Sequence, residues 1–191
     1  MISAPDYISE KSLSVAPTNG HTAPIQTRAP FVKGPFGYFG SKQRLASRIV
    51  DSLPPHNAWV EVFCGSAAVT LAKPPAPIEI INDIDGQIVN FYRVLRDKPH
   101  DLINQIELTP YALAEFENAK KLKPALSDLE QARRFLVASM MTINGAFGSN
   151  HSGKNHSGFS YSQSFSRNGQ EARVSRWNSL PTRLCKVVER L

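Results

Sequence analysis

Apolar and polar residues follow three different rhythms along this chain. Residues 1–33 are rich in Ser, Thr, Ala and Pro with no sustained periodicity, which predicts a disordered N-terminal tail. Order is expected to begin near Gly34. Over 42–53, Leu45, Ile49, Val50 and Leu53 recur at helical spacing behind Ser41 as an N-cap, and Pro54-Pro55 stops the pattern. Trp59-Val60-Glu61-Val62-Phe63 then reads as a short buried strand, and a helical stretch over 67–72 ends at Pro74, Pro75 and Pro77. Ile78-Glu79-Ile80-Ile81-Asn82-Asp83 reads as a second strand with an acidic end. Ile88, Val89, Phe91, Tyr92 and Leu95 mark an amphipathic helix over 86–97. This alternation of strands and helices predicts a parallel α/β sheet.

Past Pro99 the strand signals stop. Helices are expected over 101–121 and 127–143, and a final basic helix over 173–191 interrupted by Pro181. Between them, 144–170 is dominated by Gly, Ser, Asn and His, and a loop of that length inside a domain is functional or disordered.

Composition narrows the class. A chain of 191 residues that is 41% hydrophobic is long enough for one ordinary core and a small second lobe. No run approaches the roughly 18 apolar residues of a membrane span, and no secretory signal pattern opens the chain, so the expected compartment is the cytoplasm. Cys64 and Cys185 are too few for a disulfide scaffold or a metal knuckle, and both are expected as free thiols without a catalytic role. His151 and His156 lack further ligands nearby, so no metal is expected. The net charge of +6 is concentrated after Gln131, where nine Lys and Arg face only Glu171 and Glu189. Such a segment suits a polyanion, although a solvated basic face would read the same.

The chemistry is carried by three turns: Phe39-Gly40-Ser41-Lys42, Phe63-Cys64-Gly65-Ser66-Ala67 and Asn82-Asp83-Ile84-Asp85. In a parallel sheet, ligands sit outside the carboxyl ends of the strands, where glycine lets the backbone approach and helix N-termini offer free N–H groups. Gly65 fits that place, and Asp83 follows at the spacing of an acid that accepts hydrogen bonds from ribose hydroxyls. One glycine in place of three makes a dinucleotide site a poor match. Glu61 suits a cationic ligand group and Lys42 a carboxylate, and S-adenosylmethionine offers the ribose, the amine and the carboxylate together. The plainer alternative is that Asp83 and Glu61 cap helices and Gly65 turns the chain.

Pro35-Phe36-Gly37-Tyr38-Phe39-Gly40-Ser41-Lys42-Gln43-Arg44-Leu45, Leu53-Pro54-Pro55-His56, Val60-Glu61-Val62-Phe63-Cys64-Gly65-Ser66-Ala67-Ala68-Val69, Asn82-Asp83-Ile84-Asp85 and Asn90-Phe91-Tyr92-Arg93-Val94-Leu95-Arg96-Asp97 together resemble the N-terminal half of Dam-type (D12 class) DNA adenine-N6 methyltransferases, particularly phage and prophage members. The resemblance implies an α/β, partial Rossmann-like S-adenosylmethionine-dependent fold with a mostly helical, loop-rich DNA-recognition insertion. Its segments would be a cofactor-binding half over 34–100, a target-recognition region over 101–178, and the start of a return to the catalytic half over 179–191. It also implies cofactor contacts from Tyr38, Gly40, Ser41, Lys42, Glu61, Phe63, Gly65, Ser66, Asp83 and Ile84, and contacts to double-stranded DNA from Asn144, Lys154, Arg167, Arg173 and Arg176.

Two departures stand out. Ser41 and Ala67 replace glycines of the family's motifs. More seriously, the family's Asp-Pro-Pro-Tyr, which holds and stacks the flipped adenine, is absent: Leu53-Pro54-Pro55-His56 and Lys73-Pro74-Pro75-Ala76 have neither the acid nor the aromatic. The expectation is therefore a methyltransferase truncated before its catalytic strand, whose activity needs a second polypeptide. A non-catalytic DNA- or cofactor-binding remnant and an unrelated nucleotide-binding protein are the alternatives.

Overall fold

Two short parallel strands, β1 (Ala58–Glu61) and β2 (Ile78–Ile81), pair in register with Ala58 opposite Ile78 and Glu61 opposite Ile81. They belong to a computed structural model that describes residues 31–38, 40–121, 127–142, 158–160 and 173–191. The parallel pairing expected from the alternation is present. On one face of the pair Trp59, Glu61, Glu79 and Ile81 are half-buried, whereas Ala58, Val60, Ile78 and Ile80 on the other face are exposed. The expectation of a buried first strand thus fails for Val60, Val62 and Phe63. Apolar character predicts burial only when a second layer covers both faces of a parallel sheet, and among the described residues only one face is covered.

The covered face receives α2 (Ala68–Ala72), reached from β1 through the glycine turn, with Trp59 Nε1 donating to Thr70 Oγ1 at 2.8 Å. Before β1, the helix expected over 42–53 divides into a 3-10 turn (Lys42–Arg44) and α1 (Ala46–Asp51). Leu45 falls at that junction and is exposed rather than buried, because the change of helical pitch rotates it out of the apolar stripe.

The helix α3 (Gly86–Asp97) follows β2 with the predicted bounds, capped by Asp85, whose carboxylate accepts from Gln87 N at 2.9 Å. The helix expected over 101–121 is two: α4 (Pro99–Glu107) and α5 (Leu113–Lys120), separated by a segment containing Pro110, which cannot supply an interior helical N–H. Ser127 caps α6 (Asp128–Met141) by accepting from Glu130 N. At the far end α7 (Arg173–Asn178) and α8 (Leu180–Arg190) divide at Ser179, so that Pro181 sits in the first turn of a new helix.

The core lies among these helices more than against the sheet. Phe36 meets Phe91 and Phe135 edge to face, 5.2 Å from the first and 4.8 Å from the second between ring centres. Leu102, Phe116, Leu136, Trp177, Leu184 and Val187 continue the same buried cluster. One apolar core therefore joins the residues before and after Pro99. No helix among the described residues is long and apolar enough to cross a membrane.

At the end of α8, Arg190 reaches back to the sheet, where its guanidinium donates to Glu79 Oε2 at 2.8 Å and to the carbonyls of Thr70 at 2.7 Å and Lys73 at 3.1 Å. Lys73, 1% exposed, pairs with Glu79 from the other side. Burial alone would raise the Glu79 pKa. The hydrogen bonds from Arg190 and Lys73, with one from Ala76 N, overcome it and lower the value to about 2.

Candidate functional site

Three loops meet at the carboxyl ends of β1 and β2. The first is the arm over 31–38 and the turn behind it. Gly40 has φ +76°, a left-handed conformation suited to glycine, and Ser41 N bonds Tyr38 O at 3.0 Å. The second is the glycine turn. Gly65 has φ +48° and carries the Tyr38 ring against it, so near that a Cβ at Gly65 would lie 3.3 Å from the ring. Ala67 is also left-handed, at φ +50°, and stands in the N-cap position of α2. The third is the acidic turn. Asp83 accepts from Gly65 N at 2.8 Å through one oxygen and from Asp85 N at 3.0 Å through the other.

Cross-links tie the loops to one another. Ser41 Oγ and Ser66 Oγ lie 2.9 Å apart in a hydrogen bond, and Tyr38 Oη donates to Asp85 at 3.3 Å. Of the residues predicted for the site, Tyr38, Ser41, Gly65, Ser66 and Asp83 are thus brought together. Gly40 and Lys42 flank them, and the Lys42 ammonium, at an exposed position, donates to Gly40 O at 2.9 Å. Phe63 and Ile84 stand at the two strand ends as exposed apolar side chains, 76% and 85% accessible.

Glu61 is placed differently. Its Oε2 accepts from both the backbone N and the hydroxyl of Thr70, so it caps the first turn of α2 in the way that the plainer alternative anticipates. Asp83 likewise holds backbone, but each oxygen with one N–H keeps a lone pair for a further donor. Sequence reasoning missed Asp85, 8% exposed, which anchors Tyr38 while capping α3. An Asp immediately before an apolar helical repeat is the signal that finds it. It also gave no role to Gln43, although that residue stands in the stretch that carries the resemblance, and none to Gly34 beyond the start of order.

Cys64 is buried, and desolvation, with the nearby Asp83 and Glu61 carboxylates, pushes its thiol up to about 12. A thiol that keeps its proton at neutral pH is not an activated nucleophile. Behind the turn a cavity of about 520 Å³ runs between β2, α3 and α8, with Ile81, Asp83, Tyr92 and Val188 in its wall.

Asn144, Lys154 and Arg167 lie outside the described residues. Arg173 opens α7 and Arg176, half-buried, lies on it. Two other cations of the basic segment serve the fold: Arg133 and Arg134 each pair with Glu130 at 2.7 Å, and Arg133 also with Glu115 at 3.0 Å.

The family model for D12 class N6 adenine-specific DNA methyltransferases matches residues 38–178, which hold all three turns and the helices to α7. This chain belongs to that family. The chain is 26% identical over 141 residues to the DNA N-6-adenine-methyltransferase of Escherichia phage P1, covering 71% of this chain and 18% of the phage protein. It is 29% identical over 85 residues to the modification methylase StsI of Streptococcus sanguinis, covering 44% of this chain and 13% of that one. This D12 chain therefore matches less than a fifth of the length of either relative.

Proposed function

We propose that these residues are the cofactor-binding and target-recognition part of a DNA adenine-N6 methyltransferase, with S-adenosylmethionine held where the three turns meet. The observation that carries the reading is the direct bond from Gly65 N to the Asp83 carboxylate, which sets the glycine turn of β1 against the acidic end of β2. In this partial Rossmann-like arrangement Asp83 would take the ribose hydroxyls. Tyr38, Gly40, Ser41, Lys42 and Ser66 would surround the methionine end, and Phe63 and Ile84 offer apolar surface to the purine. Glu61 would act through Thr70 and the start of α2. When bound, the cofactor supplies a methyl group activated on a sulfonium. The residues argued here hold and orient it, and none of them moves the amino proton of adenine.

The region over 101–178 is proposed to face double-stranded DNA, with Asn144, Lys154, Arg167, Arg173 and Arg176 as its candidate contacts. The 191 residues contain no Asp-Pro-Pro-Tyr. Methyl transfer is accordingly proposed only in company with polypeptide that carries such a motif, whether more of the same protein or a second chain. The same absence supports a second reading, a non-catalytic module that binds cofactor or DNA.

Calorimetric titration of the purified chain with S-adenosylmethionine tests the proposal, with Asp83→Ala as the control. Saturable binding that the variant loses supports the cofactor site. A folded chain that binds no S-adenosylmethionine overturns it. Binding of duplex DNA that weakens steeply with salt supports the recognition surface, and adding a polypeptide that carries Asp-Pro-Pro-Tyr separates the two readings by whether adenine becomes methylated.

A further inference from the structure

Gln43, which follows Lys42 in the stretch that carries the family resemblance, makes a contact that none of the proposed cofactor contacts requires. Its side-chain Oε1 accepts from Gly34 N at 2.7 Å, across nine residues of chain. The assignment of oxygen and nitrogen is forced, because the opposite orientation would set two donors against each other. The amide nitrogen of the same side chain is buried and has no partner among the described residues, an unfavourable placement that the Gly34 contact must offset.

Gly34 in turn lies against the glycine turn. A Cβ there would fall 2.8 Å from Ser66 O and 3.0 Å from both Ser66 Cβ and Ser66 Oγ, a space no side chain can enter without moving backbone. Ser66 is also the residue whose hydroxyl meets Ser41. Beyond Gly34 the arm plunges Phe36 into the aromatic core and then lays Tyr38 over Gly65.

We propose that Gln43 is a positioning residue, a latch that holds the 31–38 arm against the Gly65-Ser66-Ala67 turn and so keeps Ser66 and Tyr38 in place for the cofactor. The proposal rests on the cofactor reading above for its functional half only. Val32 and Phe36 pack the arm on the core to either side of the buried Gly34, and the bond to Gln43 adds a directional contact that packing does not supply. The hydrogen bond from Gly34 N to Gln43 ties the arm to the Lys42–Arg44 turn, whose cap Ser41 bonds Ser66, so that arm and glycine turn are held to one support.

Two substitutions break the contact from opposite sides. Gln43→Met keeps the length of the side chain and removes the acceptor, and Gly34→Ala forces the arm off Ser66. Amide hydrogen exchange and S-adenosylmethionine titration are to be read on wild type, both variants and the double variant, with thermal unfolding alongside. The latch predicts faster exchange of the 65–67 amides in each variant, at a melting temperature within a few degrees of wild type. It also predicts roughly tenfold weaker S-adenosylmethionine binding in each, and no further loss when the two are combined. Unchanged exchange at 65–67 in Gln43→Met overturns the latch, as does loosened exchange with undiminished cofactor affinity. A wild type that binds no S-adenosylmethionine, with the turn still loosened by Gln43→Met, upholds the mechanical latch and overturns the cofactor reading.

Discussion

The helical layer and the three-turn site of this chain are held by different physics. Around Phe36, Phe91 and Phe135, large rings fill one another's gaps and hydrogen bonds are incidental. Around Gly65 the side chains are small or polar, and position is set one bond at a time: Ser41 to Ser66, Tyr38 to Asp85, Gly65 to Asp83. A close-packed interior is sensitive to lost volume, whereas a bonded loop cluster is sensitive to lost partners. Substitutions in the first region are therefore expected to cost stability, and those in the second to cost ligand binding before they cost folding.

The largest expected effect is in the helical layer. Phe91→Ala removes a fully buried ring that touches Phe36, Tyr92 and Phe135, and is expected to lower unfolding free energy in urea by about 4 kcal/mol. A loss below about 1.5 kcal/mol would show that the ring is not packed as described.

Next comes the ion cluster that ties α8 to the sheet. Arg190→Met takes the guanidinium from Glu79, which keeps Lys73 and Ala76 N, and from two carbonyls, and a loss of about 3 kcal/mol is expected. Because Glu79 titrates lower in the folded chain than its ordinary 4.5, at about 2, its contribution is complete above about pH 4.5 and is lost as pH falls toward 2. Urea midpoints followed from pH 6 to pH 3 should fall for wild type. They should fall less steeply for Arg190→Met, and parallel curves would assign the acid sensitivity to other groups.

The smallest effect sharpens the contrast. Ala67→Gly relieves a left-handed alanine, worth about 1–2 kcal/mol, but forfeits one buried methyl, worth about 0.8 kcal/mol. Stability is expected to change by less than about 1 kcal/mol.

Much of the fold was legible because its local signals agree with its packing. The helix Gly86–Asp97 was legible from its unbroken apolar stripe, and α6 from the helical pattern that begins at Ser127. The break near α7 and α8 was signalled by Pro181, whereas the division of 101–121 at the segment holding Pro110 was not anticipated. The burial of β1 was misjudged because alternation reports which residues share a face, not whether anything covers that face. At the site, glycine, serine and acid at fixed spacing pointed to Gly65, Ser66 and Asp83. The same reasoning gave Glu61 a ligand without foreseeing that one of its oxygens holds Thr70.

By itself the sequence determined the order of elements, the position of the turns and the family, since each depends on residue types a few positions apart. Only the tertiary structure decided which turns touch: that Tyr38 lies on Gly65, that Asp83 bonds its amide across 18 residues, that Arg190 closes on Glu79 across 111, and that Gln43 holds Gly34. Such contacts depend on the angle at which each helix leaves its turn. That angle is set by the packing of the whole core, which no local pattern records.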